Sequence, residues 1–164
     1  MKPAPRVVKM GEIPLSGESL TELMREVMRR RKSFRFRARG LSMSPFIKDG
    51  DVLTVVPLAG SGPKRGDVVA FVHPDTGKVA VHRVLRAGPG LFFIKGDNVA
   101  DADGRVPFER LLGVVASVER AGGRPRAANR CAGAVIASLS GSGLLTKALG
   151  TARRVAGRRG SGRP

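Results

Sequence analysis

From Ser33 to Arg39, apolar residues and arginines alternate one by one: Phe34, Phe36 and Ala38 against Arg35, Arg37 and Arg39. A period of two assigns each set to its own face of a strand, one buried and one wet. Upstream the period lengthens. Leu20, Leu23, Met24, Val27 and Met28 recur at the spacing of a single helical stripe, with Glu22, Arg25, Glu26, Arg29 and Arg30 on the other side. The spacing predicts an amphipathic helix over 19–32, opened by a capping box in which Ser19 and Glu22 satisfy free backbone N–H groups. Downstream, apolar runs at 52–57, 68–72, 79–85, 91–94 and 112–118 are cut by glycine, proline and aspartate. Pro74-Asp75-Thr76-Gly77 is a turn that joins two of them as a hairpin. These intervals are too short for crossover helices, so the sheet is expected to be mainly antiparallel.

The pattern divides the 164 residues into an N-terminal arm and helix (1–32), a mainly β core (33–120) and a tail (121–164). Charge sharpens the last boundary. Of the net +17, residues 120–164 contribute ten basic side chains and no acid, whereas residues 1–119 hold 20 basic and 13 acidic ones. The tail is expected to be disordered or weakly helical, with an apolar stripe through Val135, Ile136, Leu139, Leu145 and Val155. Its charge fits a peripheral contact with an anionic membrane. Nucleic acid is not an expected partner, because the chain has no Trp or Tyr and only seven Phe to stack on bases. The single cysteine, Cys131, excludes an internal disulfide and a cysteine-rich metal site. Met1 to Ser16 lacks the apolar centre of a signal peptide, and no run reaches the ~18–20 apolar residues of a spanning helix. The expected location is therefore cytoplasmic or peripheral to a membrane.

Candidate chemistry centres on Gly40-Leu41-Ser42-Met43-Ser44-Pro45. Gly40 lets the chain turn two residues before Ser42, and Met43 and Pro45 define the exit. A serine hydroxyl needs a neighbouring base to act as a nucleophile at neutral pH. Only two histidines are available. His82 lies in a predicted strand on the face of Ala80 and Val84, whereas His73 precedes Pro74 at the hairpin turn, where exposure is expected. His82 is the preferred base. Asp97, Asp101 and Asp103 follow the 91–94 strand as candidates to orient the imidazole. They also loosely suggest a calcium loop, but no glutamate closes it, and neither metal nor cofactor is expected.

Five segments in order then resemble signal peptidase I-like proteins of the endoplasmic-reticulum and archaeal type. They are Gly40–Pro45, Asp49-Gly50-Asp51-Val52, Arg65-Gly66-Asp67-Val68-Val69, Val81-His82-Arg83-Val84 and Lys95-Gly96-Asp97-Asn98. The resemblance implies a small barrel-like β fold shared with self-cleaving repressor peptidases. It implies Ser42 as nucleophile, His82 as general base and Asp103 as the orienting acid, with Asp97 and Asp101 in support. Two departures stand out. Gly40 occupies the place of a serine that assists the oxyanion in many relatives, which leaves the Ser42 N–H as the principal donor. A charged amphipathic helix precedes Ser42 where relatives carry a membrane anchor.

The leading expectation is a serine endopeptidase that removes a signal or leader segment from a peptide or protein substrate through an acyl-enzyme on Ser42. The alternative is a non-catalytic module of the same fold, holding an acidic peptide, nucleic acid or anionic membrane on its basic surface.

Overall fold

The computed structural model describes residues 17–128, Gly122 excepted. One helix, α1 (Gly17–Arg29), precedes eight strands: β1 (Phe34–Arg37), β2 (Val52–Val56), β3 (Val68–Val72), β4 (Val79–Gly88), β5 (Leu91–Lys95), β6 (Gly104–Pro107), β7 (Leu111–Glu119) and β8 (Arg126–Ala127). All pair antiparallel in a single sheet of order β1-β2-β7-β3-β4-β5-β6, and β8 adds to β7. The mainly β, antiparallel architecture is the one the apolar runs predict. The barrel is not. Among the described residues β1 and β6 are unpaired edges, so the sheet stays open. Register shifts at Thr54/Val55, Ala70/Phe71 and Val84/Arg86 supply the bend, since a bulge kinks and twists its strand.

The bend creates two apolar clusters, one on each face of β3. Val68, Ala70 and Val72 join Met24, Met28, Met43, Ile47, Leu53, Val55, Leu112 and Val115 on one side. Val69 and Phe71 join Val84, Phe92, Ile94, Val106 and Leu111 on the other. This is why β3 is apolar at every position rather than at alternate ones: all five residues are buried. The 74–77 turn closes the β3–β4 hairpin as expected, with the His73 N–H donating to the Lys78 carbonyl at 2.9 Å.

The helix stripe is in place, with Met24 and Met28 buried on the sheet, but its ends differ from the expectation. It starts at Gly17, which puts Ser19 inside the first turn, so Ser19 is not the N-cap. The Thr21 hydroxyl donates to the Gly17 carbonyl at 2.9 Å instead. At the other end the Arg31 N–H reaches the Met28 carbonyl and the Lys32 N–H the Val27 carbonyl, with Arg31 at φ 56°. That pair of bonds is a Schellman stop, three residues before the predicted end. Glu26 holds Arg29 at 2.8 Å and Arg30 at 2.6 Å, and these hydrogen bonds lower its carboxyl to about 2.

Two strands were absent from the sequence reading. β6 is a four-residue strand that begins at Gly104, and β8 lies at the start of the tail that the composition predicts to be disordered or weakly helical. The predicted apolar stripe of the tail lies outside the described residues. No helix among them is long and apolar enough to cross a membrane.

Candidate active site

Ser42 sits in the turn-rich connection from β1 to β2. Two hydrogen bonds close the base of that connection, the Ala38 N–H to the Asp51 carbonyl at 2.8 Å and the Gly50 N–H to the Ala38 carbonyl at 2.9 Å. Gly40 takes φ 92°, a left-handed conformation that side chains disfavour, and its N–H donates to the Asp49 carboxylate at 2.7 Å. The turn is therefore pinned two residues before the serine. Beyond Ser42, buried Met43 and Ile47 root the segment in the first apolar cluster. Ser42 itself is half-buried, between exposed Leu41 and, further along, exposed Phe46.

A second segment grips this one. The Asn98 N–H donates to the Ser42 carbonyl at 2.7 Å and its side-chain amide to the Leu41 carbonyl at 3.0 Å. Asp97, just before it, is fully buried against Arg83. The guanidinium donates from Nε at 2.9 Å and from Nη2 at 2.7 Å to the carboxylate, and from Nη1 to the Gly66 carbonyl at 2.9 Å. Asp97 thus anchors the turn that holds Ser42 through its ion pair with Arg83. Arg83 also lies over the Phe46 ring, 5.8 Å from its centre.

His82 is buried on the second face of the sheet, beside Phe71. Its Nδ1 meets Asp103 Oδ2 at 2.5 Å. An ionised carboxylate only accepts, so in the neutral ring Nδ1 carries the proton and Nε2 keeps its lone pair. The Cδ2 side of the ring lies against Gly96: a Cβ added there would lie 3.1 Å from His82 Cδ2 and 2.9 Å from the Ser42 carbonyl oxygen. Gly96 is the shared boundary of the two segments, and only a residue without a side chain fits it. Among the described residues the Ser42 hydroxyl makes no hydrogen bond, to His82 or otherwise, and the Ser42 N–H donates to no acceptor.

Of the three candidate acids, Asp103 meets the histidine, Asp97 meets Arg83 and Asp101 is exposed to solvent. His73 corrects the expectation of exposure. Its side chain is 23% exposed, and Nε2 lies 3.3 Å from Asp103 Oδ1. Strand parity would have found it, because residues 69, 71 and 73 share a face and Val69 pairs with His82. Part of the basic strand face is engaged within the chain: Arg35 bonds Glu119 at 2.5 Å, and Arg37 donates to the Gly50 carbonyl at 3.0 Å. No group of metal-ligating side chains is found among the described residues.

No curated protein matches the chain. Residues 8–116, which include the helix, the Ser42 turn, His82 and Asp103, match the family described as Peptidase S24-like.

Proposed function

The chain belongs to the Peptidase S24-like family, a family of serine peptidases, and on that premise we propose that it is a Ser-His-Asp endopeptidase that removes a signal or leader segment from its substrate. The observation that carries this reading is the arrangement around Gly96. An imidazole with Nδ1 tied to Asp103 has its other edge against the same turn that binds the Ser42 carbonyl.

The chemistry follows from those positions. A substrate enters as an extended segment, adding main-chain hydrogen bonds to a sheet edge. Leu41 and Phe46, exposed on either side of Ser42, offer apolar contact to the residues flanking the scissile bond. As Ser42 Oγ attacks the carbonyl carbon, His82 Nε2 takes its proton, and the Asp103 charge supports the imidazolium. The Ser42 N–H points a donor at the developing oxyanion, a contact worth about 2.7–4 kcal/mol in serine peptidases. Collapse of the tetrahedral adduct returns the proton from His82 to the leaving amine and leaves an acyl-enzyme on Ser42. Water, deprotonated by His82, then releases the acid product and restores the serine. The Ser42–His82 hydrogen bond that this sequence needs forms when substrate is bound, since such bonds are often loose in free enzymes.

The test is cleavage of synthetic leader peptides with small residues at the first and third positions before the cut, alongside labelling of Ser42 by a fluorophosphonate. Ser42→Ala and His82→Ala should abolish both, and for Ser42→Ala thermal melting should be unchanged. Cleavage that survives Ser42→Ala would overturn the reading.

A further inference from the structure

Asp103 faces two imidazoles, and the mechanism above uses only one. The His82 ring takes Oδ2 at 2.5 Å, and the His73 ring approaches Oδ1 at 3.3 Å. His73 follows β3 at the mouth of the hairpin, where its N–H donates to the Lys78 carbonyl and its own carbonyl accepts from Gly77 at 3.0 Å. Its backbone is therefore fixed on both sides. Its ring is fixed as well, because Nδ1 accepts the Asp75 N–H at 3.2 Å. A nitrogen that accepts carries no proton, so the neutral ring holds its hydrogen on Nε2, the atom aimed at Asp103. The result is a directed chain. Asp75 N–H donates to His73, His73 Nε2 faces Asp103 Oδ1 across 3.3 Å, and Asp103 accepts the His82 Nδ1 proton through its second oxygen.

We propose that His73 is a positioning residue for the His82 base, acting through Asp103. This rests on the reading of His82 as base. One hydrogen bond from Nδ1 leaves a carboxylate free to rotate about its Cβ–Cγ bond. A ring nitrogen 3.3 Å from the other oxygen narrows that freedom and keeps Oδ2 turned to His82. Held in that orientation, Asp103 keeps the His82 proton on Nδ1, which leaves the Nε2 lone pair free. The Phe71 ring lies beside both imidazoles, with centroids 6.2 Å from His73 and 5.9 Å from His82, and keeps the three polar groups against an apolar floor. Asp103 is itself anchored, its N–H donating to the Ile94 carbonyl at 3.0 Å.

The test uses the full chain, with His73→Leu, which removes the donor, and His73→Gln, whose side-chain amide restores an N–H near the place of Nε2. Two quantities are read: the rate at which a fluorophosphonate labels Ser42, and the proton resonance of His82 Nδ1–H. His73→Leu should slow labelling by up to about tenfold, the scale of one polar contact, and shift the resonance. His73→Gln should recover most of both. A leucine variant that labels at the wild-type rate with an unmoved resonance would overturn the proposal. Should that variant fail to fold, the ring nitrogen shifts of wild-type His73 decide: a proton on Nε2 upholds the proposal, and one on Nδ1 sinks it. A wild-type chain that the probe never labels overturns the peptidase reading instead, and the resonance then decides the coupling by itself.

Discussion

Asn98 holds the peptide on either side of the Leu41–Ser42 bond, with its backbone on the Ser42 carbonyl at 2.7 Å and its side chain on the Leu41 carbonyl at 3.0 Å. Ser42 is thus placed by a residue 56 positions downstream and not by its own turn alone. Asn98→Ala keeps the first bond and loses the second, a loss of about 1 kcal/mol. The expected outcome is serine labelling slowed by up to roughly tenfold with only a small fall in melting temperature. An unchanged labelling rate would show that the side-chain arm does not set the position of Ser42.

Gly96→Ala should be far more damaging. The new methyl would meet the Ser42 carbonyl and Val99 Cγ2 at 2.9 Å and His82 Cδ2 at 3.1 Å, and the first of these is backbone that yields only by moving the Ser42 turn. Overpacking of this kind costs about 1–3 kcal/mol of stability. Labelling of Ser42 is expected to fall by more than the stability loss explains, because the serine and the histidine are pushed apart. Denaturant melts and labelling rates on the same variant separate the two effects.

Asp103 and Asp97 should fail in opposite ways. Asp103→Asn leaves a side chain of the same shape against His82 but removes the charge that holds its tautomer, so activity should drop by several orders of magnitude with the fold intact. Asp97→Asn leaves the Arg83 guanidinium buried without its counter-charge, and the loss of one partner of such a pair costs roughly 3–5 kcal/mol. Unfolding curves should show a large shift for Asp97→Asn and a small one for Asp103→Asn. The reverse order would exchange the roles assigned to them.

Stability should also fall at acid pH through Asp51. Burial by itself would push its carboxyl up, but the hydrogen bonds from Arg120, both at 3.1 Å, and from the Lys48 N–H at 2.9 Å hold it below the usual value of 3.8. A group depressed in the folded state binds fewer protons there than in the unfolded chain. Its contribution is therefore complete above about pH 4 and disappears as the pH falls through the folded value. Urea midpoints measured between pH 5 and pH 3 should decline for the wild type, and by less for Asp51→Asn, which lacks the titrating group.

The local signals were strong where one face of one element decides the outcome. Alternation at 33–39, the helical stripe over α1 and the 74–77 turn each encode their own geometry, because burial of an apolar face needs only the correct period. The Ser42 turn was legible for a related reason: Gly40, Pro45 and the Asp49-Gly50 turn announce themselves by type. The short strands β6 and β8 were not, since four residues or two with no alternating pattern form a strand only when a neighbour offers free backbone groups.

Residue order alone sets which chemical groups the chain owns, the faces of its longer elements and the antiparallel habit imposed by short connections. Tertiary structure decided which carboxylate belongs to which cation or imidazole. Asp97, Asp101 and Asp103 lie within seven residues of one another, yet one is buried on Arg83, one is in water and one bridges His73 and His82. Charge and composition do not distinguish them. Side-chain partners depend on how the β5–β6 connection crosses β4 and the end of β3, and that path is set by packing between residues far apart in the chain.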